Sequence, residues 1–269
     1  MPRAIRDPRS FDRVADAYDR VRPGYPDEAI DDLVALSGVP RRGRVLEIGP
    51  GTGQLTVALA ERGYRVSAVE LGPHLADRCR ANVAGYPDVS VVTGRFEDVE
   101  LPPRAYDLVV AATSFHWLDA AVAYPKIASL LPPGRALGLL WNLHVDTHSG
   151  FFAAADEVYA EIAPHLLGPG VSERMSERES RVRDIEATGL YIDVETRVYP
   201  WSAVYDRATY LELLSTYSEH IALDADTHRR LDAALGQLID RRFRGRVEKH
   251  YQTVLYVATA KGDAPGGER

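Results

Sequence analysis

Apolar runs alternate with amphipathic segments through the first half of the chain. The runs are four to seven residues long and rich in Val, Leu, Ile and Ala, which predicts buried strands. Helical spacing of apolar residues between them predicts helices at about 53–62, around Leu75 to Val83, and at about 120–131. Strands that alternate with such helices indicate an α/β fold, a parallel sheet with helices on both faces. The predicted strands are Arg44–Ile48, Arg65–Glu70, Val89–Thr93, Tyr106–Ala112 and Ala136–Trp141.

Two helices are predicted before the first strand. Ser10 is a suitable cap for the first, whose apolar positions run from Phe11 to Val21, and Pro23-Gly24 ends it. The second is predicted from about Pro26 to Gly38.

Beyond residue 143 the pattern is looser. Residues 151–167 and 184–188 are predicted to be helical, and the polar stretch 168–179 between them is predicted to be a loop. Two last strands are predicted at Tyr191–Trp201 and His250–Ala260, separated by helices at 207–223 and 226–243.

A glycine cluster directly follows the first predicted strand, in the segment Glu47-Ile48-Gly49-Pro50-Gly51-Thr52-Gly53. Glycines allow a sharp turn and a close approach to a ligand, and the next helix points its free N–H groups at the turn. Glu70 ends the second strand, where a ribose-binding carboxylate lies in nucleotide-binding βαβ units. Together these features predict a nucleotide site, although a plain strand–helix turn would explain the glycines alone.

The glycine spacing distinguishes between nucleotides. A dinucleotide fingerprint needs a third glycine where this chain has Gln54, which disfavours a nicotinamide-dependent oxidoreductase. The order Glu-x-Gly-x-Gly-x-Gly instead resembles motif I of class I S-adenosylmethionine-dependent methyltransferases.

The resemblance extends over roughly residues 10–260. Five βα units followed by a β-hairpin resemble the Rossmann-like fold of that class, a seven-stranded, mostly parallel sheet with an antiparallel last strand. Three segments are similar to its trans-aconitate-type, small-molecule branch: Tyr18 through Pro26 (YDRVRPGYP), Ser114-Phe115-His116-Trp117 and Trp141-Asn142. The resemblance implies a single methyltransferase domain over 1–269. Its parts would be N-terminal helices over the cofactor (10–40), a cofactor-binding core (41–142), substrate-side helices with the sixth strand (143–250), a last strand (250–260) and a flexible tail (261–269).

The cofactor implied by the resemblance is S-adenosylmethionine, with S-adenosylhomocysteine as product. Glu47 would order the loop and attract the methionine ammonium, and Glu70 would accept both ribose hydroxyls. Relatives carry an acid or polar group near adenine at the position where this chain has Arg95. Glu97 or Asp98 would therefore make the adenine contact instead. Phe96 either contacts adenine through its backbone N–H or packs in the core. The implied cofactor-binding residues are Tyr18, Arg22, Glu47, Gly49, Gly51, Gly53, Gln54, Glu70, Leu71, Arg95, Phe96, Glu97, Thr113, Ser114 and Trp117.

The acceptor is expected to be an apolar or planar small molecule, because its predicted pocket is rich in aromatic residues. His116 is the candidate catalytic acid or base, and the alternative is that it only lines the pocket. No metal is expected, since His144 and His148 lie four apart on an irregular segment. The predicted substrate-binding residues are Tyr18, His116, Trp141, His144, Tyr205 and Tyr217.

The composition and charge of the chain limit the kinds of partner that it is expected to bind. A net charge of -7 and a pI near 5.6 argue against a nucleic-acid surface, and the basic cluster from Arg241 to Lys249 is predicted to be a solvated helix end. One cysteine excludes an internal disulfide. Because neither a signal peptide nor a membrane-length apolar run is seen, the protein is expected to be cytoplasmic. It is expected to be a monomer or a homodimer. RNA- or protein-directed methylation, and cofactor binding without methyl transfer, remain the alternatives.

Overall fold

The computed structural model describes residues 7–145, 150–167 and 180–261. Seven strands form one sheet in the order β3-β2-β1-β4-β5-β7-β6, and β1 to β5 are parallel. At one end of the β5–β7 pair Gly134 N donates to Ala260 O, and at the other Val145 N donates to His250 O, so β7 runs antiparallel to β5. The predicted Rossmann-like methyltransferase fold is confirmed. The strands are β1 (Arg44–Ile48), β2 (Arg65–Glu70), β3 (Val89–Thr93), β4 (Leu108–Ala112), β5 (Ala136–His144), β6 (Tyr191–Asp206) and β7 (Arg246–Ala260).

Ten α-helices are described in these parts of the chain. They are α1 (Ala15–Val21), α2 (Asp27–Ser37), α3 (Gln54–Glu61), α4 (Pro73–Asn82), α5 (Ala120–Leu130), α6 (Gly150–Ile162), α7 (180–187), α8 (Arg207–Ser215), α9 (Ser218–Ile221) and α10 (Ala225–Arg242). The first helical segment begins earlier than predicted, with a 3-10 helix at Pro8–Val14. Its cap is Asp7, whose carboxylate accepts from Arg9 N, so the prediction of Ser10 as the cap was wrong.

The chain divides into two compact units. The first, here the glycine-turn unit, comprises Pro23–Asn142, Glu179–Tyr199 and Thr253–Arg269. Its core includes both faces of the central strands β1 and β4, which explains why these strands read as continuous apolar runs. Core members include Ile30, Leu33, Val45, Leu55, Leu59, Val66, Leu108, Val110, Leu140 and Leu255.

The second unit, here the aromatic unit, comprises Met1–Arg22, Leu143–Arg178 and Pro200–Gln252. Helices α6, α8 and α10 supply most of its core. The buried members include Phe151, Tyr205, Tyr210, Leu213, Leu214, Leu231, Leu235, Ile239, Val247 and Tyr251. A single domain over 1–269 stays a prediction.

Strand β7 begins four residues before the predicted start at His250. Exposed and buried residues alternate along Arg246, Val247, Glu248 and Lys249, which is the two-residue period of a strand. The apolar pattern missed this stretch because a lysine stands at a buried position. Lys249 is only 3% exposed, so the prediction that it lies on a solvated helix end was wrong, whereas Arg241, Arg242, Arg244 and Arg246 are exposed.

The predicted loop 168–179, with Asp146, His148 and the tail beyond Lys261, lies outside the described residues. None of the described helices combines the length and apolar character that a bilayer crossing requires.

Candidate active site

The glycine turn after β1 has a backbone that only glycine adopts easily. Gly49, Gly51 and Gly53 have φ values of 67°, 61° and 101°. A Cβ on Gly49 would also lie 2.6 Å from the Cβ of Ser114. The turn is closed by Gly53 N donating to Pro50 O, and Gln54 donates its side-chain amide to Thr52 Oγ1. The backbone conformation, and at Gly49 the contact with Ser114, therefore require glycine in this turn.

Glu70 joins the turns that follow β1 and β2. It is 6% exposed, its Oε2 accepts from Gly51 N at 2.9 Å, and its Oε1 accepts from Gly72 N at 2.9 Å. The contact follows from the sheet, because neighbouring parallel strands end at the same edge. Leu71, between Glu70 and Gly72, is partly exposed. Each oxygen of Glu70 thus accepts from the backbone of one of the two turns.

Glu47 is buried behind the turn and accepts a hydrogen bond from Thr56 Oγ1 at 2.7 Å. Burial raises the pKa of Glu47 to about 7, with a smaller contribution from the charge of Glu70, while the Thr56 bond opposes the shift. The neighbouring Cys79 thiol has its pKa raised to about 12, mainly by burial and then by Glu47. Glu47 thus ties β1 to α3 across the glycine turn.

The turn after β3 is organised by Lys126 of α5, a residue that the sequence did not indicate. Its Nζ donates to the carbonyl oxygens of Phe96, Glu97 and Val99 at 2.7, 3.0 and 2.6 Å. Phe96 is 3% exposed, and Lys126 Nζ lies 5.0 Å from its ring centre, which favours core packing for this side chain. Arg95 pairs with Glu97 at 3.3 Å. The sequence signal that could have pointed to Lys126 is that it is a single lysine within an otherwise apolar helix.

Two residues after β4 contact the end of β1 and the segment before α2. Thr113 has a φ of 56°, a strained value for a β-branched residue, and its hydroxyl is 2.9 Å from Tyr25 OH. Ser114 Oγ donates to Ile48 O at 2.5 Å, which places Ser114 against the glycine turn. The hydroxyl of Ser114 is thus engaged with the end of β1.

His116 accepts a hydrogen bond from Trp141 at the end of β5. The distance from Trp141 Nε1 to His116 Nδ1 is 3.3 Å, and the ring of Trp117 lies 4.9 Å from that of His116. Because an indole N–H can only donate, Nδ1 must be unprotonated, so the neutral imidazole carries its proton on Nε2. The guanidinium of Arg181, on α7, lies 4.4 Å from the centre of the Trp141 ring. Arg181 follows the polar stretch 168–179, and no sequence signal pointed to it.

Asn142 links two of the segments that carry the family resemblance. Its Nδ2 donates to Gly24 O at 2.9 Å, and its Oδ1 accepts from Thr253 Oγ1 at 2.6 Å. The residue therefore fastens the segment after α1 to β5 and β7.

The remaining predicted residues, Tyr18, Arg22, His144, Tyr205 and Tyr217, belong to the aromatic unit. Arg22 lies between the rings of Tyr18 and Tyr217, at 4.9 and 4.6 Å. The hydroxyls of Tyr205 and Tyr251 are 3.0 Å apart, and the His144 ring lies 4.7 Å from that of Phe152.

A metal ion would need several His, Cys, Asp or Glu side chains close together. Within residues 7–145, 150–167 and 180–261, no three of them come together in a way that would hold an ion. His148 lies outside those ranges.

The fold and the glycine turn place the chain in a known class. Residues 45–134, which cover β1 to β4, match the family model described as "Methyltransferase domain". Residues 45–134 are thus similar to methyltransferase domains, and the fold is the Rossmann-like fold of solved methyltransferases. The trans-aconitate-type subtype stays a prediction.

Individual relatives agree with this class. The chain is 42% identical over 133 residues to an uncharacterized methyltransferase of Mycobacterium tuberculosis, covering 49% of this chain and 52% of that protein. It is 44% identical over 144 residues to ribosomal RNA small subunit methyltransferase A of Mycobacterium bovis, covering 52% and 41%. The chain thus spans about half the length of the curated relatives it matches. A solved putative type II methyltransferase from Anaeromyxobacter dehalogenans has the same fold, with a TM-score of 0.65 and 22% identity over 90% of this chain and 99% of that one.

Proposed function

We propose that this protein binds S-adenosylmethionine and transfers its methyl group to a small organic acceptor. The observation that carries the proposal is the buried carboxylate of Glu70, held by Gly51 N and Gly72 N at the strand ends of a methyltransferase fold. These two bonds fix the carboxylate in place at the strand ends before any ligand arrives. The positive φ values of Gly49, Gly51 and Gly53 support the proposal, because a glycine turn lets the backbone approach a ligand closely.

Each residue near the turn has a proposed role. Glu70 accepts the ribose hydroxyls, and Glu47 orders the loop and favours an ammonium group nearby. The turn held by Lys126 borders the adenine. When bound, S-adenosylmethionine supplies a methyl group on a positively charged sulfur, ready for in-line displacement. The protein's task is then to hold the acceptor in line and to exclude water.

His116 is proposed to orient the acceptor rather than to deprotonate it. The Trp141 hydrogen bond occupies Nδ1, and the proton on Nε2 makes that nitrogen a donor. An acceptor that arrives as an anion, or with a free lone pair, needs no base. This geometry therefore favours acceptors that are already deprotonated at working pH.

The experiment that tests the proposal has two stages. Calorimetry with S-adenosylhomocysteine tests cofactor binding, and we expect a micromolar dissociation constant. A panel of acids, phenols and amines is then incubated with S-adenosylmethionine, and S-adenosylhomocysteine production is measured. Absence of cofactor binding contradicts the proposal, whereas binding without turnover across the panel favours a relative that binds the cofactor without transferring methyl.

Methylation of RNA is the second candidate. The 44% identity to a ribosomal RNA methyltransferase over about half of this chain favours it. The net charge of -7 opposes it, because RNA-binding surfaces carry a basic excess. Transfer of labelled methyl to total RNA, at a rate above that for every small molecule in the panel, would select this candidate.

A further inference from the structure

The indole ring of Trp141 on β5 is restrained from several directions. Its Nε1 donates to His116 Nδ1 at 3.3 Å, and the ring of Tyr256 stands nearly perpendicular to it with the centres 5.8 Å apart. The guanidinium of Arg181 lies 4.4 Å from the centre of the indole. Trp141 is 8% exposed. One of the groups that hold this buried ring therefore carries a positive charge.

Arg181 lies on α7, in the same compact unit as Trp141 and His116. It is only partly exposed, and its helix is anchored by the fully buried Ile185. The charge of Arg181 also acts on Tyr124 of α5. Burial raises the pKa of Tyr124 to about 12, and Arg181 opposes this shift more strongly than Asp184 adds to it. The positive charge of Arg181 is thus felt among the buried aromatic side chains.

A cation on the face of an indole can do more than hold the ring in place. It attracts the electron density of the ring, which leaves the N–H group more positive and makes it a better hydrogen-bond donor. The bond from Trp141 to His116 is long for a protein hydrogen bond, at 3.3 Å. We therefore expect this bond to depend on how firmly the indole is held and polarised.

The simpler explanation is that Arg181 covers the indole by packing alone. The aliphatic part of an arginine often covers apolar surface while its charged end reaches water. In that case an uncharged side chain of similar length, such as methionine, would hold Trp141 equally well. Lysine keeps the charge but lacks the planar group, so it separates the effect of charge from that of stacking.

We propose that Arg181 is a positioning residue for His116 and that it acts through Trp141. Its charge holds and polarises the indole, and the indole N–H in turn keeps the neutral His116 ring protonated on Nε2. The consequence for the acceptor rests on the proposed function, in which that nitrogen orients the acceptor.

The test is the exchange of the Trp141 indole proton with solvent, followed by NMR on the isotope-labelled full chain. The chain has three tryptophans, and the signal that is missing from Trp141→Phe identifies Trp141. We expect Arg181→Met to speed this exchange about fivefold or more, and Arg181→Lys to stay within about twofold of the parent. Long-range proton–nitrogen spectra should show a mixture of His116 tautomers in Arg181→Met but not in Arg181→Lys.

Arg183→Met is the matched control, because Arg183 is exposed on the same helix, and it should change neither readout. The Trp201 indole, in the aromatic unit, should exchange as in the parent in every variant and so reports on folding. If Arg181→Met does not fold, Arg181→Gln takes its place with the same expected results. Parent-like exchange in the uncharged variant, or an equal loss in Arg181→Lys, overturns the inference.

Methyl transfer gives a separate readout for the acceptor. With an acceptor found in the panel, we expect Arg181→Met to lower kcat/KM about tenfold while S-adenosylhomocysteine affinity stays at the parent value. An unchanged kcat/KM would contradict a role in orienting the acceptor. Failure of S-adenosylhomocysteine binding in the parent would contradict the proposed function, and the exchange of the Trp141 proton would still decide whether Arg181 acts through Trp141.

Discussion

The indole N–H of Trp141 donates to Nδ1 of His116 across the ends of two neighbouring strands. Strands β4 and β5 are parallel with Ala112 opposite Leu140, so the residues that follow them emerge side by side. The hydrogen bond selects the neutral tautomer of His116 that carries its proton on Nε2. Trp141 thus holds the His116 ring through Nδ1.

Replacing Trp141 by Phe should release this constraint. We expect the neutral His116 ring to become a mixture of tautomers, because Nδ1 loses its donor. Long-range proton–nitrogen spectra of labelled protein report which ring nitrogen is protonated. The matched change Trp201→Phe, in the aromatic unit, should leave the His116 signals in place. Unaltered His116 nitrogen shifts in Trp141→Phe would contradict the assigned tautomer.

Much of the glycine-turn unit could be predicted because each element there has one dominant signal. The bounds of β2 and β3 agree with the apolar runs, and α2 ends at Gly38, whose φ is 60°. Glycine and proline mark the turns between these elements. Local sequence patterns suffice where each strand is one short run rich in Val between turn residues.

The contacts of the candidate site could not be predicted in the same way. Lys126 reaches the turn after β3 from a helix about thirty residues away, and Arg181 reaches Trp141 from beyond a polar stretch. Such contacts depend on strand order and side-chain reach, which a local pattern does not contain. Lys249 was misassigned because its charge masks the strand period.

Gly49→Ala should disrupt the turn. A Cβ there would lie 2.6 Å from Ser114 Cβ on a backbone with a φ of 67°, so we expect a loss of at least about 1 kcal/mol in the free energy of unfolding. We also expect S-adenosylhomocysteine affinity to fall at least tenfold. Denaturant unfolding and calorimetry measure the two effects. Gly85→Ala is the control, since a Cβ there meets nothing within 4 Å.

Glu70→Gln tests the bridge between the two turns. The glutamine NH₂ would face the N–H of Gly51 or Gly72 and leave one buried donor without an acceptor, which costs about 1–3 kcal/mol of stability. We expect S-adenosylhomocysteine affinity to fall at least tenfold by calorimetry. Glu186→Gln, on the exposed surface of α7, should change neither quantity. Parent-like affinity in Glu70→Gln would contradict the ribose role.

The raised pKa of Glu47 predicts that the stability of the protein depends on pH, with a definite sign. The pKa of Glu47 is about 7 in the folded protein, above the ordinary value of 4.5 expected in an unfolded chain. Between these values the folded state holds a proton that the unfolded state has lost. The contribution of Glu47 is therefore fully present below about pH 4, falls as pH rises, and is lost above about pH 7. A shift of this size corresponds to about 3 kcal/mol.

Glu47→Gln removes the ionisation and retains a carbonyl that accepts from Thr56 Oγ1. We expect the free energy of unfolding of the variant, minus that of the parent, to be up to about 3 kcal/mol larger at pH 8 than at pH 4. Urea unfolding at several pH values measures this difference. The contributions of the other titrating groups are the same in both proteins and cancel when one is subtracted from the other.

In the proposed role Glu47 faces an ammonium, which favours the charged form of Glu47. S-adenosylhomocysteine affinity should therefore rise from pH 6 to pH 8 in the parent and stay flat in Glu47→Gln. Parallel profiles in the two proteins would remove Glu47 from cofactor binding.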